Sequence, residues 1–107
     1  KELIIRGGVN ISPVEVDSIL IQHPSVAEAG SFGMPDTIYG EEVAAFVVIV
    51  ETHSVSPDDI IDHCRGHLPE AKMPKSIFIL EELPKNPRGK LDRASLLKLW
   101  QSENKSY

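Results

Sequence analysis

The sequence predicts an α+β fold in which about three helices pack on a small mixed β-sheet preceded by an N-terminal β-hairpin. Three observations carry that prediction. Two short apolar strings, Leu3-Ile4-Ile5 and Val9-Asn10-Ile11, flank Gly7-Gly8, and glycine accepts the positive φ that a tight hairpin turn requires. An apolar run over residues 43–50 is rich in β-branched side chains and has the length of a strand buried on both faces. Finally, Ser12-Pro13 and Ser56-Pro57 each open a stretch whose apolar residues recur at helical spacing.

The elements follow in order. After the hairpin, Ser12 caps a helix, Pro13 suits its first position and Glu15 completes a capping box. Val16, Ile19 and Leu20 form its apolar stripe, and the helix should end near His23-Pro24. Residues 26–34 are apolar and small and read as a strand, with 35–40 a loop before the long apolar strand. Ser56-Pro57-Asp58-Asp59 starts a second helix whose stripe is Ile60, Ile61, Cys64 and Leu68. Residues 76–80 read as a further strand. Residues 83–91 hold two prolines and a glycine and read as a loop. Asp92 caps a last helix with Leu96, Leu97, Leu99 and Trp100 on its apolar side, Trp100 serving as a core anchor. One domain over residues 1–100 and a polar, fraying tail over 101–107 account for the chain, without repeats or low-complexity segments.

Composition narrows the function classes. Hydrophobic content of 41% and charged content of 25% are ordinary for a globular domain. No apolar run reaches the roughly 20 residues of a bilayer span, and no targeting motif is visible. A single cysteine, Cys64, excludes an internal disulfide and fits a reducing compartment such as the cytoplasm. The net charge of −5 argues against a nucleic-acid binder. That charge is unevenly spread: from Gly7 to Cys64 there are ten acidic residues and no Lys or Arg, whereas from Arg65 to Lys98 there are eight basic residues against four acidic ones. The basic half permits an anionic ligand at one place. The chain lacks an initiator Met and begins on a strand-like segment, so it reads as a piece of something longer.

The loop Leu83-Pro84-Lys85-Asn86-Pro87-Arg88-Gly89-Lys90-Leu91-Asp92-Arg93 is the leading site candidate. Prolines stiffen it, Gly89 lets the backbone turn, and Lys90 stands at its tip before a helix. An ammonium presented this way suits phosphate or carboxylate oxygens, while the plain alternative is a surface turn with solubilising lysines. Gly7-Gly8 combines a tight turn with a backbone free of Cβ atoms that a thin ligand can approach, or it simply makes the turn. His63 and His67, four apart with Cys64 between them, superficially suggest a metal site. Cys64 belongs to the apolar stripe and no further ligands cluster nearby, so no metal is expected. Asp58, Asp59 and Asp62 read as a solvated helix start favoured by the dipole, not as a catalytic pair.

Three stretches resemble the motifs of the adenylate-forming superfamily, which comprises acyl-CoA synthetases, peptide-synthetase adenylation domains and luciferases. Residues 84–93, Pro-Lys-Asn-Pro-Arg-Gly-Lys-Leu-Asp-Arg, look like its last core motif. Residues 1–16 resemble the motif that opens its C-terminal domain, and Gly40-Glu41-Glu42-Val43-Ala44-Ala45-Phe46-Val47 matches the motif between them. All three occur in the family's order and spacing and together span nearly the whole chain. Gly7-Gly8-Val9-Asn10-Ile11-Ser12-Pro13 is closer to the CoA ligases of fatty or aromatic acids than to the peptide-synthetase branch.

The resemblance implies a C-terminal lid domain of an ATP-dependent acyl-CoA synthetase. A large N-terminal domain, absent from this sequence, would bind ATP, Mg2+ and a carboxylic acid. The lid would rotate between adenylation and thioester formation with CoA. By this resemblance Lys90 is the catalytic charge of the first step. Gly7 and Gly8 would line the pantetheine tunnel in the second, and Lys1 falls at the hinge, which would put the fragment's boundary there. Lys72 and Lys75, in Ala71-Lys72-Met73-Pro74-Lys75, would meet the nucleotide end of CoA; the aromatic residue usual near Ala71 is missing, which leaves stacking on the adenine without its residue. The fragment alone should be inactive. Two rival readings remain at this stage: a stand-alone module binding an anionic metabolite through the basic loop, and a structural domain with no ligand.

Overall fold

The structure, a computed structural model, describes residues 2–103. Strands β1 (Ile4–Arg6) and β2 (Val9–Ile11) pair antiparallel with Ile4 opposite Ile11 and Arg6 opposite Val9. Gly7 and Gly8 join them with φ of 56° and 86°, the two positive values of a type I′ turn. Helix α1 (Pro13–Ile21) follows, with the Ser12 hydroxyl accepting the Glu15 amide at 3.3 Å. The expected capping box is only half made, because the Glu15 carboxylate turns instead to Lys72 Nζ at 3.1 Å. The helix closes at Ile21 with Gln22 as its C-cap, slightly before the expected His23-Pro24.

Strands β3 (Val26–Asp36), β4 (Gly40–Ile49) and β5 (Ser76–Ile79) form a mixed sheet in the order β3-β4-β5. β3 and β4 are antiparallel; β4 and β5 are parallel. The β3–β4 ladder runs further than the sequence reading, through Pro35 opposite Glu41 and Asp36 opposite Gly40. Proline is tolerated there because β3 is an edge strand, which needs no amide on its outer side. The turn shrinks to residues 37–39, closed by the Asp36 carboxylate accepting the amides of Ile38 at 3.0 Å and Tyr39 at 2.9 Å. Those bonds hold the Asp36 carboxyl below its ordinary pKa, the Tyr39 amide contributing most.

Helix α2 (Pro57–Arg65) carries the complete box that α1 lacks: Ser56 Oγ accepts the Asp59 amide and Asp59 Oδ2 accepts the Ser56 amide. Leu68 lies past the helix end but is still buried, because the amides of His67 and Leu68 both fold back onto the Cys64 carbonyl. A 3-10 turn (Glu70–Lys72) leads into β5, and α3 (Ala94–Glu103) closes the described chain. Three residues expected in the tail, Gln101 to Glu103, continue α3; residues 104–107 of that tail lie outside the described residues, as does Lys1.

β4 shows why the apolar run had to be continuous. Val43, Ala45 and Val47 join a core with Ile4, Ile11, Val16, Leu20, Ile60 and Cys64 on the hairpin, α1 and α2 side. Ala44 and Phe46 face the opposite way, into a second core with Phe32, Leu83 and Leu96 beneath α3. The Phe46 ring stacks on Phe32 at 5.5 Å and meets Phe78 at 5.3 Å, and partly buried Trp100 packs on the same cluster. The central strand therefore stands between helical layers on both faces.

Candidate functional site

The loop bearing Lys90 is a small hairpin whose two limbs are pinned where Lys85 pairs with Leu91 and the Asp92 amide donates to the Pro84 carbonyl at 2.9 Å. Its organiser is Asn86, which sequence reasoning missed. The Asn86 side-chain oxygen accepts the amides of both Arg88 at 2.9 Å and Lys90 at 3.0 Å. The Asn86 amide donates to the Lys90 carbonyl at 2.7 Å, and the Gly89 amide donates to the Asn86 carbonyl at 2.8 Å. Gly89 sits at φ 82°, which the turn requires. The loop's shape rests on Asn86 more than on its prolines, and an asparagine three residues before a glycine is the turn signal for it in the sequence. Lys85 is neutralised by Glu28 at 3.0 Å, whereas the exposed side chains of Arg88 and Lys90 have no ion pair among the described residues.

The loop is anchored to β3. Leu91 and Leu96 press on Gly30 so closely that a Cβ there would meet them at 3.1 Å and 3.0 Å. Arg93 Nη1 donates to the Ser31 carbonyl at 2.8 Å and lies 3.0 Å from Asp17 Oδ2, while Asp17 Oδ1 accepts the Ser31 amide at 2.7 Å. Burial pushes the Asp17 carboxyl up, opposed by its bonds to Ser31 and the nearby Arg93 charge. Arg93 also approaches Glu2 at 3.5 Å. Nothing near Asp17 in the sequence points to Arg93; the tertiary fold brings them together.

The Gly7-Gly8 turn docks elsewhere. The Gly7 amide donates to the Tyr39 carbonyl at 2.8 Å, and a Cβ on Gly7 would meet the Tyr39 ring at 3.0 Å. The Arg6 guanidinium lies 3.8 Å from the centre of that ring and pairs with Glu42 at 2.7 Å. Glu41 accepts the Ile5 amide at 2.8 Å while lying across Gly33, where a Cβ would stand 2.6 Å from its carboxylate. A Cβ on Gly8, by contrast, would meet nothing within 4 Å. The exposed turn thus has one side fixed against the β3–β4 tip and one side bare.

Lys90 and Gly7-Gly8 are not brought together. The Lys90 loop rests on β3 at Glu28 and Gly30, and the glycine turn sits beyond Asp36 at the strand's other end. Six residues of strand separate Gly30 from Asp36, about 20 Å at the rise of an extended chain. Lys75 belongs to the glycine end, since both it and Arg6 act electrostatically on Asp36. It lines a groove of about 540 Å³ with Arg65 and three carboxylates, Asp58, Asp62 and Glu70. Lys72 is held by Glu15 and so is less available than sequence suggested.

The histidine pair is engaged internally: His63 Nε2 hydrogen-bonds to the Ile19 carbonyl at 3.0 Å and its ring stacks on His67 at 4.9 Å. Cys64 faces the core, and burial pushes its thiol up to about 11. Among the described residues no helix is long and apolar enough to cross a membrane.

Residues 15–90 match the family model of the AMP-binding enzyme C-terminal domain. The chain belongs to that family. Its relatives are CoA ligases: it is 46% identical to the oxalate–CoA ligase of Arabidopsis thaliana over 93 residues, covering 87% of this chain and 18% of that protein. Among solved structures it superposes on apo MatB from Rhodopseudomonas palustris with a TM-score of 0.92 at 31% identity, over 98% of this chain and 21% of MatB. The o-succinylbenzoate CoA synthetase of Bacillus subtilis, solved with its acyl-adenylate intermediate, matches with a TM-score of 0.84 at 42% identity, over 89% of this chain and 19% of that one. The chain therefore spans about a fifth of the length of these ligases. The hairpin, mixed sheet and three helices are the C-terminal domain of that architecture.

Proposed function

We propose that this domain is the lid of an ATP-dependent acyl-CoA synthetase and presents a different end of itself to each half-reaction. The observation that carries the reading is the separation of the Lys90 loop from the Gly7-Gly8 turn along β3. One end offers cations that have no ion pair among the described residues; the other offers a backbone without side chains.

In the first half-reaction a carboxylate oxygen attacks the α-phosphorus of ATP, the bond to pyrophosphate breaks, and an acyl-adenylate forms. Lys90 stabilises the negative charge on the attacking carboxylate and the phosphate oxygens, and losing such a contact costs roughly 10²–10³ in rate. In the second, a thiolate sulfur attacks the acyl carbonyl and AMP leaves. The bare side of Gly8 lets the pantetheine arm pass, with Lys75 and, once freed from Glu15, Lys72 facing the CoA phosphates. Lys1 serves as the hinge, and hinge residues need only absorb a backbone rotation.

ATP, Mg2+ and the acid belong to the preceding N-terminal domain, so this domain alone is inactive. A cytoplasmic setting suits the buried, reduced Cys64, and fatty or aromatic acids are the substrate class that the hairpin motif favours. Family membership supports this ligase reading over a stand-alone anion-binding module. Pyrophosphate release by the full-length protein against a panel of aliphatic, aromatic and dicarboxylic acids tests it. Acid-dependent release followed by CoA-dependent thioester is expected; no release with any acid would refute it.

A further inference from the structure

The Arg93–Asp17 pair holds two opposite charges largely out of water, 3.0 Å apart. Both side chains are mostly buried, 16% and 13% exposed. Replacing a buried ion pair with well-packed apolar residues is often neutral or stabilising, so stability alone does not account for it. The pair instead fixes geometry. The Arg93 guanidinium bonds to the Ser31 carbonyl and the Asp17 carboxylate, Asp17 returns to the Ser31 amide, and the Ser31 hydroxyl donates to the Pro13 carbonyl at 3.0 Å. Three separate pieces of chain, α1, β3 and the base of α3, are tied at one point. No buried side-chain polar atom among the described residues is left without a partner.

Arg93 lies three residues after Lys90, on the limb of the hairpin that carries it. Lys90 itself has a flexible side chain and no bond from its ammonium among the described residues, so its aim depends on where its backbone is held. Asn86 fixes the shape of the loop, but it does not fix the loop to the rest of the domain. That attachment comes from Leu91 against Gly30, from the exposed Lys85–Glu28 pair at 3.0 Å and from the mostly buried Arg93. Leucine packing tolerates sliding, whereas Arg93 Nη1 reaches two acceptors at once, the Ser31 carbonyl and Asp17 Oδ2, which sets direction as well as distance.

We propose that Arg93 and Asp17 are positioning residues for adenylation, holding the Lys90 loop in register with the body of the lid. This rests on the adenylation role proposed for Lys90. Misplacement of a reacting group by about 1 Å can cost on the order of 10²-fold in rate, so loss of register would be felt chiefly in kcat. The glycine turn docks at the far end of β3 and should be little affected.

The test uses full-length enzyme carrying Arg93→Lys, Asp17→Asn or both, with Lys90→Ala as reference. Adenylation is read as pyrophosphate exchange, and thioester formation is read from supplied acyl-adenylate. Both single variants should lose roughly 10- to 100-fold in kcat of adenylation with KM for ATP nearly unchanged. Thioester formation should stay close to wild type, and the double variant should be no worse than the poorer single one, as expected for residues acting as a unit. Equal loss of both half-reactions would reduce the pair to a structural role, and unchanged adenylation in Arg93→Lys would overturn the proposal, as would additive losses. If Asp17→Asn fails to fold, Arg93→Lys decides the matter alone. Full adenylation by Lys90→Ala would instead defeat the underlying reading. Abolition by Lys90→Ala with intact Arg93→Lys would defeat only the positioning claim.

Discussion

Asn86 holds two loop amides through one side-chain oxygen, so Asn86→Ala removes two hydrogen bonds without touching any charge. Each is worth about 1 kcal/mol, and the expected outcome is faster amide exchange at Arg88 and Lys90 with global stability lowered by no more than about 2 kcal/mol. Protection unchanged at both amides would contradict the assignment. Cys64 gives a second residue-scale prediction. A thiol pushed up to about 11 by burial is almost entirely protonated near neutral pH, so a disulfide reagent should label it only when the domain unfolds. Prompt labelling of the folded protein would show a site far more open than this core. The sequence made Lys90 and Gly89 visible because a lysine after a proline-and-glycine turn is a local pattern. Asn86 is legible by the same logic, as an asparagine three residues before the glycine. Asp17 was not legible, since nothing near it in the chain announces Arg93.

The paired serine caps separate what local sequence decides from what packing decides. Both helices start Ser-Pro with an acid at the third helical position, yet only Ser56 and Asp59 complete the reciprocal box, while Glu15 is drawn to Lys72. Asp59→Ala leaves the Ser56 cap but breaks the return bond to the Ser56 amide, so in chemical denaturation it should cost about 1 kcal/mol, against about 1 or less for the exposed ion pair lost in Glu15→Ala. The β3–β4 turn makes a further prediction. Asp36 has its carboxyl lowered from the ordinary 3.8, chiefly by the Tyr39 amide. The stability it contributes is fully present above that value and is lost as pH falls below 3.8 towards the lowered folded value. Asp36→Asn should flatten that part of the acid limb of a thermal midpoint–pH curve; an unchanged acid limb would exclude the turn bonds as its source. The strand types, helix starts and hairpin were all readable from periodicity and caps. The length of the β3–β4 ladder was not, because Pro35 reads as a strand terminator unless the strand is known to be an edge.

For the whole domain, what mattered was where the elements sit along β3, which no local pattern encodes. Motif resemblance named the Lys90 loop and the glycine turn, and the fold adds that they dock at opposite ends of one strand with different chemistry at each. The basic half of the sequence also resolves into parts: Arg65, Lys72, Lys85 and Arg93 are paired, while at the loop end Arg88 and Lys90 have no ion pair among the described residues. These two ends are proposed to serve different half-reactions. The most direct test compares full-length Lys90→Ala with Gly8→Trp, a substitution whose Cβ meets nothing within this domain and whose cost is mainly its positive φ. Lys90→Ala should lose adenylation by roughly 10²-fold or more while still converting supplied acyl-adenylate to thioester. Gly8→Trp should adenylate normally and fail at thioester formation. If each variant instead lost both half-reactions in equal proportion, the two-ended lid would be wrong.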